Sequence, residues 1–178
     1  MDLRKKKTLR AIRTAFYALR ESKNVEQISV TELTRKAEIS KATFYLHYHD
    51  IFDLSEKLKQ EVILSVMSRL DNPMELLTDS ISFMDKLVAA LEAEKESVLP
   101  LFSGTQAAAL PISLEANLKE YIFTHAPHLK NDARVNVYLT YHIQGGYYAY
   151  TENVEQLGYK QVIDVIEEIQ NSLPITSR

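Results

Sequence analysis

Residues 29–50 read SVTELTRKAEISKATFYLHYHD, and this stretch decides the fold. Ser29 and Glu32 have the spacing of a capping box, and Ile28 with Leu33 has that of a hydrophobic staple, so a helix begins after Ser29. It is short and ends near Ala37. A second helix follows Ser40, where Ile39 and Phe44 repeat the staple spacing; it carries Lys41 to about His47. The turn between them is Glu38-Ile39-Ser40. Asp50 is the next N-cap, with Asp53 in the favourable first turn of a long helix reaching about Leu70. Two short helices joined by a turn of about three residues have the geometry of a helix-turn-helix, centred on residues 29–48. Val30, Leu33, Ala37, Ile39 and Phe44 sit where the two helices must pack on each other.

Outward from this core the chain reads as helix throughout. Upstream, a helix over about Leu3 to Glu21 carries the stripe Leu9, Ile12, Phe16 and Leu19. It supports a helix too short to stand alone. Downstream, Asn72-Pro73 breaks the chain, and helices are expected over 74–95, 98–109, 112–124, 132–152 and 159–172. Apolar spacings of three or four dominate, and no convincing alternating run argues for a strand. The expected class is all-α. Residues 1–65 are expected to form a three-helix head that carries the helix-turn-helix, and residues 66–178 a second helical domain.

Composition narrows the functional classes. The 178 residues are 46% hydrophobic and 25% charged, enough to bury a core. With no cysteine, disulfide and thiolate chemistry are excluded. No run approaches the ~20 apolar residues of a membrane span, and Arg10 and Arg13 interrupt any signal-peptide core, so a cytoplasmic protein without membrane partners is expected. The net charge of −3 hides an asymmetry: residues 1–60 hold 13 Lys+Arg against 8 Asp+Glu, whereas residues 61–178 hold 8 against 16. A head of +5 on a body of −8 suits a polyanion-binding head, or a solvated basic segment. No nucleophile–base pair, phosphate loop or cofactor motif supports an enzyme. His47, His49 and Asp50 form a His-x-His-Asp run, but histidines two apart do not share a helix face; packing, phosphate contact and capping are the expected roles, with no metal.

The residues of the third helix suit DNA. Ser40 and Lys41 lie at a helix N-terminus, where free N–H groups favour a phosphate. Thr43 and Tyr45 offer hydroxyls, and Ala42 permits close approach to a thymine methyl. His47 completes the outward set. The segment Ser40-Lys41-Ala42-Thr43-Phe44-Tyr45, the pair His47-Tyr48, and Leu54 and Leu58 beyond it together resemble the DNA-binding domain of the TetR family of bacterial regulators, over residues 5–65. The resemblance implies base and phosphate contacts from Lys41, Ala42, Thr43, Tyr45 and His47, and further phosphate contacts near Ser29, Thr31 and Tyr48. The chain departs from the family pattern at three places. Glu38 stands where glycine is frequent, Thr34 where alanine is common, and Ile51 where a lysine usually opens the fourth helix. The first implies strain of ~1 kcal/mol if the turn needs a positive φ. The last removes a phosphate clamp, so affinity leans on the basic N-terminal segment.

For residues 66–178 the resemblance implies a helical ligand-binding and dimerisation domain, with a homodimer joined through its last two long helices. The seam Val162, Ile166, Ile169 and Leu173 suits this, as do Val135, Leu139 and His142; the same seams equally suit the protomer's own core. Effector contacts are expected from Tyr121, His125, Tyr138, Tyr141 and His142, an aromatic, uncharged lining, although tyrosines are also frequent at dimer interfaces. The resulting expectation is a ligand-responsive repressor, bound as a homodimer to a palindromic operator. The alternative is a TetR-like activator or adaptor acting mainly through a protein partner, with weak DNA binding.

Overall fold

The structure is a computed structural model that describes residues 3–172, apart from the side chain of Asn171. Leu173, the last residue of the expected seam, lies outside the described residues. All regular elements among these are helical, with no strand. The chain forms two compact units, residues 1–64 with 94–107, and residues 65–93 with 108–178. The division is therefore not the single cut after residue 65: residues 94–107 pack with the N-terminal unit.

In the N-terminal unit, α1 spans Leu3–Arg20. The helices α2 (Val30–Lys36) and α3 (Lys41–Tyr45) follow, then the long α4 (Ile51–Ser68), inside which the unit ends. The caps form where the sequence places them. Ser29 Oγ accepts from the Glu32 N–H at 3.2 Å, Ser40 Oγ from the Thr43 N–H at 3.0 Å, and Asp50 Oδ1 from the Asp53 N–H at 2.8 Å. Only half of the expected capping box is present, because the Glu32 carboxylate pairs with Lys23 Nζ at 2.6 Å. Ile12, Phe16, Leu33, Phe44, Leu54 and Leu58 fill the core.

A short α6 (Lys95–Leu101) and a 3-10 turn, Gly104–Gln106, replace the helix expected over 98–109. Gly104 has φ +58°, and a side chain there would run into Asn24. Three polar anchors hold this segment in the N-terminal unit. The buried Arg20 guanidinium donates to the carbonyls of Pro100, Lys23 and Ser103 at 2.7–3.0 Å. Glu26 accepts from Thr105 and Gln106, and the buried Lys59 ammonium donates to Gln106 at 2.5 Å.

In the C-terminal unit, Asn72 caps a 3-10 turn at Pro73–Leu77 and α5 follows over Ser80–Ala93, so the helix expected over 74–95 is two pieces. Helices α7 (Ala109–His125) and α8 (Ala133–Thr140) come next. A π-helical turn over Tyr141–Gly145 joins α8 to α9 (Gly146–Leu157). Gly158, at φ +81°, ends α9 and lets the chain re-enter α10 (Tyr159–Ser172), since such a backbone is open chiefly to glycine.

The π turn is tied to α7. Glu115 accepts from Lys119 Nζ at 2.6 Å, and also from Thr140 Oγ1 and Gln144 Nε2. Burial pushes the Glu115 carboxyl upward, but these three donors together hold it below its usual range. The cluster thus clamps both ends of the wide turn with charge-assisted bonds.

Candidate nucleic-acid interface

The surface of α3 is set by its neighbours. Phe44 is fully buried, with Tyr48 tilted against it at 5.6 Å between ring centroids. This packing turns Lys41, Ala42, Tyr45 and Leu46 outward, while Thr43 and His47 are half-buried. Thr43 keeps its hydroxyl 2.8 Å from Ser40 Oγ. Ser29, Thr31 and Ser40 are exposed at the starts of α2 and α3.

Tyr48 is the exception among the expected contacts. It is 8% exposed, with the Lys57 ammonium 5.3 Å from its ring centre. Burial pushes its phenol upward, and its ring supports α3 from behind. Leu46 was not singled out by its sequence and is 80% exposed at the end of α3, beside Tyr45 at 56%. A helix-period reading places it on neither face, because α3 ends one residue before it.

The turn between α2 and α3 is closed by a specific hydrogen-bond pair. The Ile39 N–H donates to the Thr34 carbonyl at 3.0 Å and the Glu38 N–H to the Arg35 carbonyl at 3.3 Å. This is the Schellman arrangement, which needs a left-handed residue just past the helix end. That residue is Glu38, at φ +54°. The strain expected of a non-glycine residue is therefore present. Thr34 is buried, and its hydroxyl is satisfied by donating to the Val30 carbonyl at 2.8 Å.

Ile51 is 4% exposed and belongs to the core. Lys57, further along α4, is committed to Asp53 Oδ2 at 2.9 Å. The Lys57 ammonium and the His49 N–H hold the Asp53 carboxyl below its usual range. An open groove of about 480 Å³ runs between α1 and the α2–α3 turn. Lys7, Arg10, Ala11, Thr14, Ala15, Ala18, Lys36, Ala37 and Glu38 line it.

In the C-terminal unit, the five residues expected at an effector site form a stacked pair, Tyr121 with His125, and a trio, Tyr138 and Tyr141 about His142. Tyr121 lies on His125 at 4.1 Å and Tyr138 on His142 at 3.9 Å, with Tyr141 edge-on to His142. A cavity of about 100 Å³ is lined by Tyr141 and His142 together with Gly145, Gly146, Ala149, Ile166, Ile169 and Gln170. Tyr121, His125 and Tyr138 are not part of it. The Gln170 amide is buried, and neither of its polar atoms has a hydrogen-bond partner within the protein.

The expected dimer seams turn inward. Val135, Leu139, His142, Val162 and Ile166 are buried within the protomer, because an amphipathic stripe first covers itself with its own neighbours. Ile169 is half-exposed, and Val137, Tyr141, Tyr148, Leu157, Tyr159 and Val165 are also left outward along α8–α10.

Among the described residues no group of three histidine or carboxylate side chains is gathered as a metal-ligand set. No single helix among them is long and apolar enough to cross a membrane. Comparison with known proteins returned no match: no family model, no curated protein and no solved structure is similar to the chain.

Proposed function

We propose that the chain is a TetR-like, DNA-binding transcriptional regulator, cytoplasmic and not an enzyme. It represses from a palindromic operator as a homodimer. The observation that carries this reading is the surface of α3. Lys41, Ala42 and Tyr45 project together from a helix that is capped at Ser40 and backed by Phe44. A cation, a small residue and a hydroxyl-bearing ring suit the major groove, where base edges and phosphates are met together. A helix read from a duplex dyad asks for a second copy. The outward Val137, Tyr141, Tyr148, Val165 and Ile169 supply apolar surface for one.

The small cavity beside Tyr141 suits an uncharged, ring-sized group. An effector that prefers one conformer would shift the population away from the DNA-competent state. The burial of Ile51 favours the second reading, an activator or adaptor with a weaker hold on DNA, because no cation opens α4.

Fluorescence anisotropy on duplexes tiled from the DNA upstream of the coding sequence tests the proposal. The expected result is sequence-dependent binding by a dimer in the range of ~10⁻⁸ M. Lys41→Ala and Tyr45→Ala should each weaken it by about 1–3 kcal/mol. Equal binding to every duplex, with no response to either substitution, sinks the repressor and leaves the adaptor.

A further inference from the structure

Five cations of the N-terminal unit are committed within it. Arg13 is paired with Glu61, Lys23 with Glu32, Lys57 with Asp53, and Lys59 with Glu56; Arg20 is spent on backbone carbonyls. These charges are neutralised where they stand. Lys7, Arg10 and Lys36 are different. All three are exposed, none is held by a carboxylate among the described residues, and all three line the one groove between α1 and the α2–α3 turn. The floor of that groove is Ala11, Thr14, Ala15 and Ala18, side chains short enough to let an extended strand approach the helix. Glu38 is the single carboxylate on its rim. The turn that forms one wall leads directly into Ser40 and Lys41.

We infer that this groove is a second DNA contact, a seat for the phosphate backbone flanking the segment read by α3. The inference rests on the regulator reading and extends it. The start of α4 offers no free cation: Asp50 caps it, Ile51 is buried, and Lys57 is paired with Asp53. The groove along α1 is the place where unpaired cations gather. Three unpaired cations over a floor of small residues match a polyanionic strand, which supplies charge at regular intervals and needs no pocket walls. Glu38 works against this contact, so its charge weakens the grip.

The test is the salt dependence of binding to a fluorescein-labelled duplex of about 40 base pairs. Each neutralised phosphate contributes a slope of about −0.9 in log K against log[salt]. The triple variant Lys7→Gln/Arg10→Gln/Lys36→Gln should lower the magnitude of that slope by about 2 to 3. Wild type then loses up to about 40-fold more affinity than the variant between roughly 50 and 200 mM salt. Preference among sequences, carried by Lys41 and Tyr45, should persist in the variant. Lys130→Gln, in the other unit, should leave the slope unchanged, and Glu38→Gln should tighten binding several-fold. Circular dichroism checks that the variants are folded, and the single substitutions at Lys7, Arg10 and Lys36 give one step each if the triple is not. A folded variant with the wild-type slope overturns the groove while leaving the regulator reading intact. A wild type that binds no duplex overturns both.

Discussion

The helix-turn-helix region and the α8–α9 region are both made of α-helix, yet their corners are made in different ways. In the N-terminal unit, Ser29, Ser40 and Asp50 each accept a hydrogen bond from a backbone N–H three residues on. The boundary is written into a few adjacent residues. In the C-terminal unit, the turn between α8 and α9 has no cap. It is a widened helix held by Glu115 from α7, 25 and 29 residues away from the Thr140 and Gln144 it binds. The corners flanking α2 and α3 are built from local bonds and the α8–α9 corner from packing. A corner of the first kind tolerates changes elsewhere; a corner of the second kind depends on its remote partner.

The largest expected effect tests that dependence. Glu115→Ala strands the half-buried Lys119 ammonium and frees both ends of the π turn, at a cost of about 2 kcal/mol. Hydrogen exchange followed by mass spectrometry should show faster exchange over residues 133–157, with α2 and α3 unaffected. Equal loss of protection in both units would remove the contrast.

A smaller effect of opposite sign is expected at Glu38. Glycine accepts φ +54° without the left-handed penalty, and this outweighs its greater freedom in the unfolded chain. Glu38→Gly should stabilise the N-terminal unit by about 0.5–1 kcal/mol, read as a higher urea midpoint at constant slope. A destabilised variant would mean that the Glu38 side chain is worth more than its backbone strain.

The smallest effect concerns pH. The Asp53 carboxyl lies below its usual range because Lys57 and the His49 N–H favour its charged form. Its contribution to stability is thus full above the unfolded carboxylate range and is lost as pH falls through the folded value. Acid should loosen the start of α4, and Asp53→Asn should flatten the pH dependence of urea unfolding between about pH 5 and 3. An unchanged profile in the variant would show that the pairing is too solvated to matter.

Much of the candidate interface was legible in the chain because it depends on short spacings. The pairs Ser29–Glu32, Ser40–Thr43 and Asp50–Asp53 are three residues apart, whereas the positive φ at Glu38 is seen only in the folded turn. Errors arose where a residue's role depends on distant neighbours. Glu32 fits a capping box, but Lys23 takes its carboxylate. Tyr48 fits a surface contact, but Phe44 and Lys57 enclose it. The groove along α1 has no linear signature, because Lys7, Arg10 and Lys36 are brought together only by the turn between α2 and α3.

The sequence by itself determined the all-helical class, the positions of α1 to α4 and the side chains offered by α3. Helix caps, staples and apolar periodicity act over three to five residues, so they are complete within a local window. Only the tertiary structure decided that residues 94–107 belong with the N-terminal unit, that Ile51 is core, and that the stripes of α8 and α10 face inward. An apolar stripe specifies that it must be covered and not by what, and a buried Arg20 finds its carbonyls 80 and 83 residues away. Those choices belong to the packed chain as a whole.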